Sequence, residues 1–112
     1  MKTSIEGRQF EWDDAKNKIN KIKHGINFKT AAKVFNDPYR FREFDYEHSI
    51  DEERWKITGM VDDILVVIYT ERDESTRLIS AREAGDEDRR KYYDHRILLL
   101  TQRCAFDGGG ES

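Results

Sequence analysis

The chain has 112 residues, of which 37% are apolar and 38% are charged, which suits one compact domain over residues 1–112 with a small core. Its single cysteine, Cys104, cannot form an internal disulfide, and no metal-binding spacing of Cys and His occurs. We therefore expect no metal or other cofactor and a reducing, cytoplasmic location. The longest apolar run is far shorter than the roughly 20 residues that span a bilayer, so we expect no membrane partner.

The net charge of −3 averages over segments of opposite charge. Residues 15–36 contain six lysines and no acid, whereas acids outnumber bases in residues 37–63. The lysines could form a locally basic binding surface or only the solvated faces of helices. The sequence leaves both interpretations open.

Two helices are predicted before the sheet. Residues 1–9 show no clear periodicity, so we expect a flexible arm outside an ordered core at residues 10–104; residues 10–12 resemble a short strand. Asp13 is a typical N-cap for the first helix, and Gly25 a typical end. Apolar residues recur along this helix at i, i+4, i+7 and i+11, namely at Ala15, Ile19, Ile22 and Ile26.

The second helix is predicted to begin at the N-cap Asn27 and to stop before Pro38, which cannot continue a helix. Its predicted buried residues are Phe28, Ala31, Ala32 and Phe35.

From Tyr39 the apolar pattern has a period of two, which predicts strands. The next strand contains Trp55 and Ile57, and the run 64–70 is so uniformly apolar that we expect a central strand covered on both faces. A last strand is predicted over residues 76–82. The sequence thus predicts an α+β fold with an antiparallel sheet of four strands, residues 10–12 being a candidate fifth.

A C-terminal helix is predicted from about Asp86, because the acids at 86–88 would complement the positive end of its dipole. We expect its apolar stripe to pack on its own sheet or on a partner. The stripe consists of Tyr93, Ile97, Leu100 and Cys104. The Gly-rich tail, residues 107–112, is predicted to be disordered.

Cations on the predicted strands could form an anion site. Arg54 and Lys56 share the polar face of one strand, and Ser80 and Arg82 share one face of the last strand. If these faces coincide, the cations form a rigid site, and the planar guanidinium suits a phosphate. The alternative is a set of surface arginines that pair with neighbouring acids.

His24 lies beside Lys23 in the last turn of the first helix. A cation there can cap helix carbonyls, which is the structural interpretation; a protonatable group near an RNA phosphate is the functional one. The acidic loop that contains Asp45, Asp51, Glu52 and Glu53 has no metal-ligand pattern, so a solvated loop is favoured over a divalent-metal site.

On the last helix, arginines and tyrosines recur on one face, which suits single-stranded RNA because bases stack on aromatic rings. They are Arg89, Tyr92, Tyr93 and Arg96. Because the apolar stripe assigns Tyr93 to the core, Tyr92 is the better candidate.

Through these residues the chain resembles the BrnT family of bacterial toxins, small ribonucleases of type II toxin–antitoxin systems with a RelE-like fold. Seven segments in register between residues 10 and 93 carry the resemblance. They are Phe10-Glu11-Trp12-Asp13 with Ala15-Lys16-Asn17, Lys23-His24-Gly25-Ile26 with Phe28, Ala31-Ala32 with Val34-Phe35 and Asp37-Pro38, Glu53-Arg54-Trp55, Val66-Val67 with Tyr69-Thr70-Glu71-Arg72, Ile79-Ser80-Ala81-Arg82 with Ala84, and Arg89 with Tyr92.

The resemblance implies a metal-independent endoribonuclease that cleaves RNA, chiefly messenger RNA, by attack of the 2′-hydroxyl, leaving a 2′,3′-cyclic phosphate. It also implies a BrnA-like antitoxin with a ribbon-helix-helix DNA-binding region, operator DNA bound through that antitoxin, and the option of a homodimer in the complex. Our catalytic candidates are Arg54, Arg72 and Arg82 for charge stabilisation. His24, Glu53 and Tyr92 are our candidates for proton transfer or base stacking. Our RNA-binding candidates are Lys23, Lys56, Arg77 and Arg89.

Two features depart from the family pattern. Residues 85–88 are Gly-Asp-Glu-Asp instead of a Thr or Ser cap followed by bases, and these acids would weaken phosphate attraction by Arg82 and Arg89. The apolar segment from Asp94 through Leu100 is also longer than the family pattern. The alternative functions are a non-catalytic nucleic-acid binder, with residues 13–35 as a helix-turn-helix, and an inactive toxin relative that binds a partner.

Overall fold

The computed structural model describes the backbone of residues 1–109 and the side chains of residues 1–102. Six strands form one sheet in the order β1-β2-β6-β5-β4-β3, in which β2 and β6 are parallel and the other neighbours are antiparallel. The strands are β1 (Lys2–Ile5), β2 (Arg8–Glu11), β3 (Phe41–Phe44), β4 (Trp55–Val61), β5 (Asp63–Arg72) and β6 (Ser75–Glu83). The helices are α1 (Asp14–His24), α2 (Phe28–Ala31) and α3 (Asp86–Gly109), with 3₁₀ turns at Ala32–Asn36 and Tyr46–His48.

The N-terminal segment is a strand hairpin and not the flexible arm that the sequence predicts. β1 pairs with β2 from Lys2 opposite Glu11 to Ile5 opposite Arg8. The two residues of the turn, Glu6 and Gly7, have φ values of 47° and 86°, as a tight hairpin turn requires. The sheet therefore has six strands rather than four, and it is mixed rather than purely antiparallel. A short, mostly polar edge strand lacks the apolar alternation that would reveal it.

Helices cover the two faces of the sheet unequally. On one face, α2 and the 3₁₀ turn 32–36 bury the four predicted residues of the second helix against β4, β5 and β6. The predicted second helix is thus present, but its α-helical part ends at Ala31. On the other face, Tyr92 of α3 packs near Ile64 and Val66. Strand β5 is consequently covered on both faces along residues 64–67.

The side of α1 that faces the protein is polar. The prediction that its apolar stripe packs against the protein is therefore wrong. Ile19 is 62% exposed and Ile22 is 85% exposed, whereas Asn20 is buried. The Asn20 amide donates to the carbonyl of Ile26 at 3.0 Å, and its Oδ1 accepts from the Ala81 amide at 3.0 Å. Buried backbone groups such as the Ile26 carbonyl and the Ala81 amide need a hydrogen-bond partner. Because Asn20 provides it for both, α1 is rotated with Asn20 toward the sheet.

Helix α3 is also rotated relative to the prediction. Tyr92 is only 1% exposed, whereas Tyr93, Ile97 and Leu100 are all exposed. The assignment of Tyr93 to the core and Tyr92 to the surface is therefore wrong. The Cys104 side chain lies outside the described side chains. Residues 107–109 of the predicted tail belong to α3, and residues 110–112 lie outside the described part.

Thr58 of β4 provides a stability prediction. Its side chain is fully buried, and its hydroxyl has no hydrogen-bond partner among the described residues. Replacing Thr58 with valine should raise the free energy of unfolding by about 1 kcal/mol, because the shape is kept and an unsatisfied polar group is removed. Urea denaturation measures this change.

Thr70→Val is the matched control. Thr70 is equally buried, but its hydroxyl donates to the carbonyl of Glu53 at 2.7 Å. The same substitution should therefore lower the free energy of unfolding by about 1 kcal/mol. Shifts of the same sign in both variants would contradict the explanation.

Candidate active site

The structure brings Lys56, Ser80 and Arg82, three polar residues of the predicted anion site, to one face of the sheet. Lys56 lies opposite Ile68, and Ile68 lies opposite Ser80; one row further, Val66 lies opposite Arg82. Side chains alternate along strands, and the neighbours Ile57, Val67 and Ala81 pack under the helices. Lys56, Ser80 and Arg82 therefore project from the opposite face. They line a cleft of about 680 Å³, whose other walls come from β3 and the 3₁₀ turn 46–48.

Asp88 of α3 holds both cations of this cleft. Its Oδ1 lies 2.7 Å from Lys56 Nζ, and its Oδ2 lies 3.2 Å from Arg82 Nη2. Burial raises the pKa of Asp88, but the hydrogen bonds and charges of Lys56 and Arg82 together outweigh burial, so the pKa lies below its usual value. The carboxylate stays charged at neutral pH. A phosphate in the cleft must therefore compete with Asp88 for the two cations.

Glu43 of β3 provides a second acid at the cleft. It lies 3.9 Å from Lys56 and 3.2 Å from Lys91 of α3. The cleft therefore carries opposite charges side by side. Its distinguishing feature is that the cations are mounted on paired strands, which hold donors more precisely than loops do.

A histidine missed in the sequence analysis also lines the cleft. His48 ends the 3₁₀ turn 46–48, and its Nδ1 lies 2.8 Å from Asp45 Oδ2. The loop is pinned, because the Asp45 amide donates to the carbonyl of Arg54 at 2.9 Å and the Ser49 hydroxyl donates to the Asp45 carbonyl at 2.6 Å. The Asp-x-x-His spacing of Asp45 and His48 is the sequence signal for this pair, but from sequence alone Asp45 is predicted to lie in a solvated acidic loop.

His24 and Lys23 are not part of the cleft. Both are exposed at the C-terminal end of α1, and neither lines the cleft. Helix α1 itself packs beside β6 through the amide of Asn20. Their position agrees with the structural interpretation, in which cations complement the negative end of a helix.

Arg72 and Glu53 line a different pocket, of about 570 Å³, which shares no residue with the cleft. Arg72 lies 3.4 Å from Glu52, and Arg54 lies 3.8 Å from the same carboxylate. These two arginines thus pair with a neighbouring acid, as the alternative interpretation predicts. Arg54 lies directly before β4, outside the lining of both pockets.

Arg77 and Arg89 also pair with acids. Arg77 lies 4.0 Å from Glu11 on the neighbouring strand. Arg89 donates to Asp63 at 2.9 Å, and this hydrogen bond raises the pKa of Arg89 and lowers that of Asp63. The bond ties α3 to the start of β5, so Arg89 has a structural role.

Tyr92 is a core residue. Burial raises its pKa, and the hydrogen bond that its hydroxyl donates to Asp37 at 2.6 Å raises it further. A buried phenol with a raised pKa can neither stack on a base nor exchange a proton near neutral pH. This geometry contradicts the predicted role of Tyr92 in base stacking or proton transfer.

Among the described side chains, those of residues 1–102, no group of three or more His, Cys, Asp or Glu is arranged to hold a metal ion. None of the described helices is long and apolar enough to cross a membrane.

The family model described as the ribonuclease toxin, BrnT, of type II toxin–antitoxin systems matches residues 12–88. The chain belongs to the BrnT family. Its structure is similar to the crystal structure of the ribonuclease toxin BrnT from Brucella abortus, with a TM-score of 0.53 and 23% sequence identity. This similarity covers 69% of this chain and 96% of the Brucella chain, and at this identity it shows the fold alone. No curated protein is significantly similar to the chain in sequence.

The BrnT match includes every charged group of the cleft. It contains His48 and Lys56, and it ends at Asp88, the carboxylate that pairs with Arg82. Strands β1 and β2 and most of α3 lie outside the matched residues. The residues that line the cleft therefore all lie within the part of the chain that matches the family.

Proposed function

We propose that this chain is the toxin of a type II toxin–antitoxin system and that it cleaves RNA, chiefly messenger RNA, as a metal-independent endoribonuclease in the Lys56–Arg82 cleft. The carrying observation is that two adjacent rows of the sheet present Lys56 and Arg82 on one open face. Membership of a ribonuclease toxin family supports the reaction class. We also propose that the fold is RelE-like.

The proposed chemistry needs little from the protein. The 2′-hydroxyl of the RNA attacks the adjacent phosphorus, the bond to the 5′-oxygen breaks, and the products carry a 2′,3′-cyclic phosphate and a 5′-hydroxyl. The protein must position the phosphate and stabilise the charge that gathers on it. Arg82 can donate two parallel hydrogen bonds to phosphate oxygens, and Lys56 adds a second positive charge.

Asp88 supports a second candidate function. Because its carboxylate already pairs with Lys56 and Arg82, the cleft could instead be a neutralised site in a chain that only binds nucleic acid or a partner protein. We favour the catalytic function, since Arg82 is still 44% exposed and can reach a phosphate while Lys56 keeps its bond to Asp88.

The proposed partners follow from the family. They are an RNA substrate, a BrnA-like antitoxin with a ribbon-helix-helix region, operator DNA through that antitoxin, and a second toxin copy in the complex. The proposed location is the cytoplasm.

The test is cleavage of RNA by purified, antitoxin-free protein in the presence of EDTA. We expect cleavage at an undiminished rate, with cyclic-phosphate and 5′-hydroxyl ends on the products. Intact RNA, or cleavage that requires an added divalent ion, would overturn the proposal. RNA that is bound but left intact would support the non-catalytic candidate.

A further inference from the structure

We infer that His48 is the general base of the proposed cleavage and that Asp45 is its positioning residue. The inference rests on the proposed function and assigns the proton-transfer step of the same cleft. It replaces His24, Glu53 and Tyr92, none of which lines the cleft, as the candidates for that step.

The hydrogen bond between the two residues determines which ring nitrogen is available. An ionised carboxylate can only accept, so Nδ1 of His48 carries the hydrogen and donates to Asp45 at 2.8 Å. In the neutral ring, Nε2 is then left as the acceptor for a proton. The side chain of His48 is 58% exposed and that of Asp45 only 11%, so the base is accessible while its support is enclosed.

The charges around the imidazole come from several elements. Glu47 precedes it on the same turn, Glu43 faces the cleft from β3, and Lys56 and Arg82 face it from β4 and β6. Asp88 of α3 pairs with the last two. The histidine thus shares one cleft with the two cations that would hold the reacting phosphate. A base and charge-stabilising donors in one site are what this reaction requires.

The step balances without a further reactant. As the 2′-oxygen bonds to phosphorus, its proton passes to Nε2 of His48, while Lys56 and Arg82 stabilise the added negative charge. The bond from phosphorus to the 5′-oxygen breaks, and that oxygen takes a proton from water. His48 then releases its proton to solvent.

The test compares His48→Ala with His24→Ala in purified, antitoxin-free protein. The first should lower the single-turnover cleavage rate about 100-fold or more, the usual contribution of a general base. RNA affinity, measured by anisotropy, should stay near the parent value. The second replaces another exposed histidine, one outside the cleft, and should leave both quantities unchanged.

Two further readouts separate catalysis from structure. The parent should lose activity on acidification, because a protonated imidazole cannot accept the 2′-hydroxyl proton, and His48→Ala should lack this dependence. Added imidazole should restore part of the activity of His48→Ala. Asp45→Asn should lower the rate but keep a pH dependence, because the base itself remains.

If His48→Ala cleaves RNA with the parental pH profile, the inference is overturned and the proposed function is left intact. A parent that cleaves no RNA would instead overturn the proposed function. If His48→Ala is unfolded by circular dichroism, His48→Gln repeats the comparison, and parental activity in that variant is equally contradictory.

Discussion

Arg82→Ala should lower the RNA cleavage rate by roughly 100-fold or more, the loss seen when one charge-stabilising donor is removed from an active site. Arg82 projects from β6 into the cleft, one row from Ser80 and beside Lys56. Strand pairing fixes the backbone of Arg82, so its guanidinium needs little reorganisation to meet a phosphate. Single-turnover cleavage of a defined RNA at saturating protein measures the effect.

Arg72→Ala is the matched control. From the sequence, Arg72 and Arg82 are equal candidates, but the structure places Arg72 in a separate pocket beside Glu52. We expect its loss to leave the cleavage rate near that of the parent. An equal loss of rate in both variants would contradict the assignment of the cleft.

Misfolding does not account for the expected effect of Arg82→Ala. The Arg82 side chain is 44% exposed, so its removal leaves little buried space empty, although its partner Asp88 is only 10% exposed. Asp88 also keeps its bond to Lys56 in the variant. Arg82→Lys adds a second check, since it keeps the charge and loses the bidentate geometry; we expect an intermediate rate.

The strand part of the site could be predicted because alternation along a strand is encoded locally. The apolar run of β5 identifies the centre of the sheet, and each neighbouring strand then presents alternate residues to the two faces. Placing Lys56, Ser80 and Arg82 on one face needed only the pairing of adjacent strands, which short connections favour.

The rotation of the helices could not be predicted, because it depends on hydrogen bonds to distant backbone groups. Ile19 and Ile22 form a regular apolar stripe, yet α1 turns Asn20 inward to satisfy the Ala81 amide of β6. On α3, neighbouring residues differ by about 100° around the helix axis, so the bond from Tyr92 to Asp37 is enough to expose Tyr93.

The loop part of the site was missed for a related reason. His48 becomes a candidate only when Asp45 is fixed beside it and when β4 and β6 bring their cations to the same cleft. Loops carry no periodic pattern, so sequence spacing alone leaves such convergence undetermined.

Asp37→Ala should lower the free energy of unfolding by about 3 kcal/mol or more, because each buried donor left without an acceptor costs about 1–3 kcal/mol. Asp37 is buried, and its Oδ2 accepts from the Met60 amide at 2.7 Å and from the Tyr92 hydroxyl at 2.6 Å. Its Oδ1 accepts from the Tyr39 amide at 3.0 Å. Urea denaturation, with the midpoint and slope compared between variants, measures the loss.

Tyr92→Phe separates the contribution of α3 from that of the backbone amides. It removes one hydroxyl and leaves Asp37 with two amide donors, so we expect a loss of only about 1 kcal/mol. A loss as large as that of Asp37→Ala would show that the hydroxyl bond carries the whole effect.

The same carboxylate connects stability to the cleft. Tyr92 lies one helical turn after Asp88, so the bond that docks Tyr92 on Asp37 also holds Asp88 against Lys56 and Arg82. Loosening this end of α3 should free the two cations for phosphate. Tyr92→Phe should therefore bind RNA at least as tightly as the parent although it is less stable, and weaker binding would contradict the view that Asp88 competes with RNA.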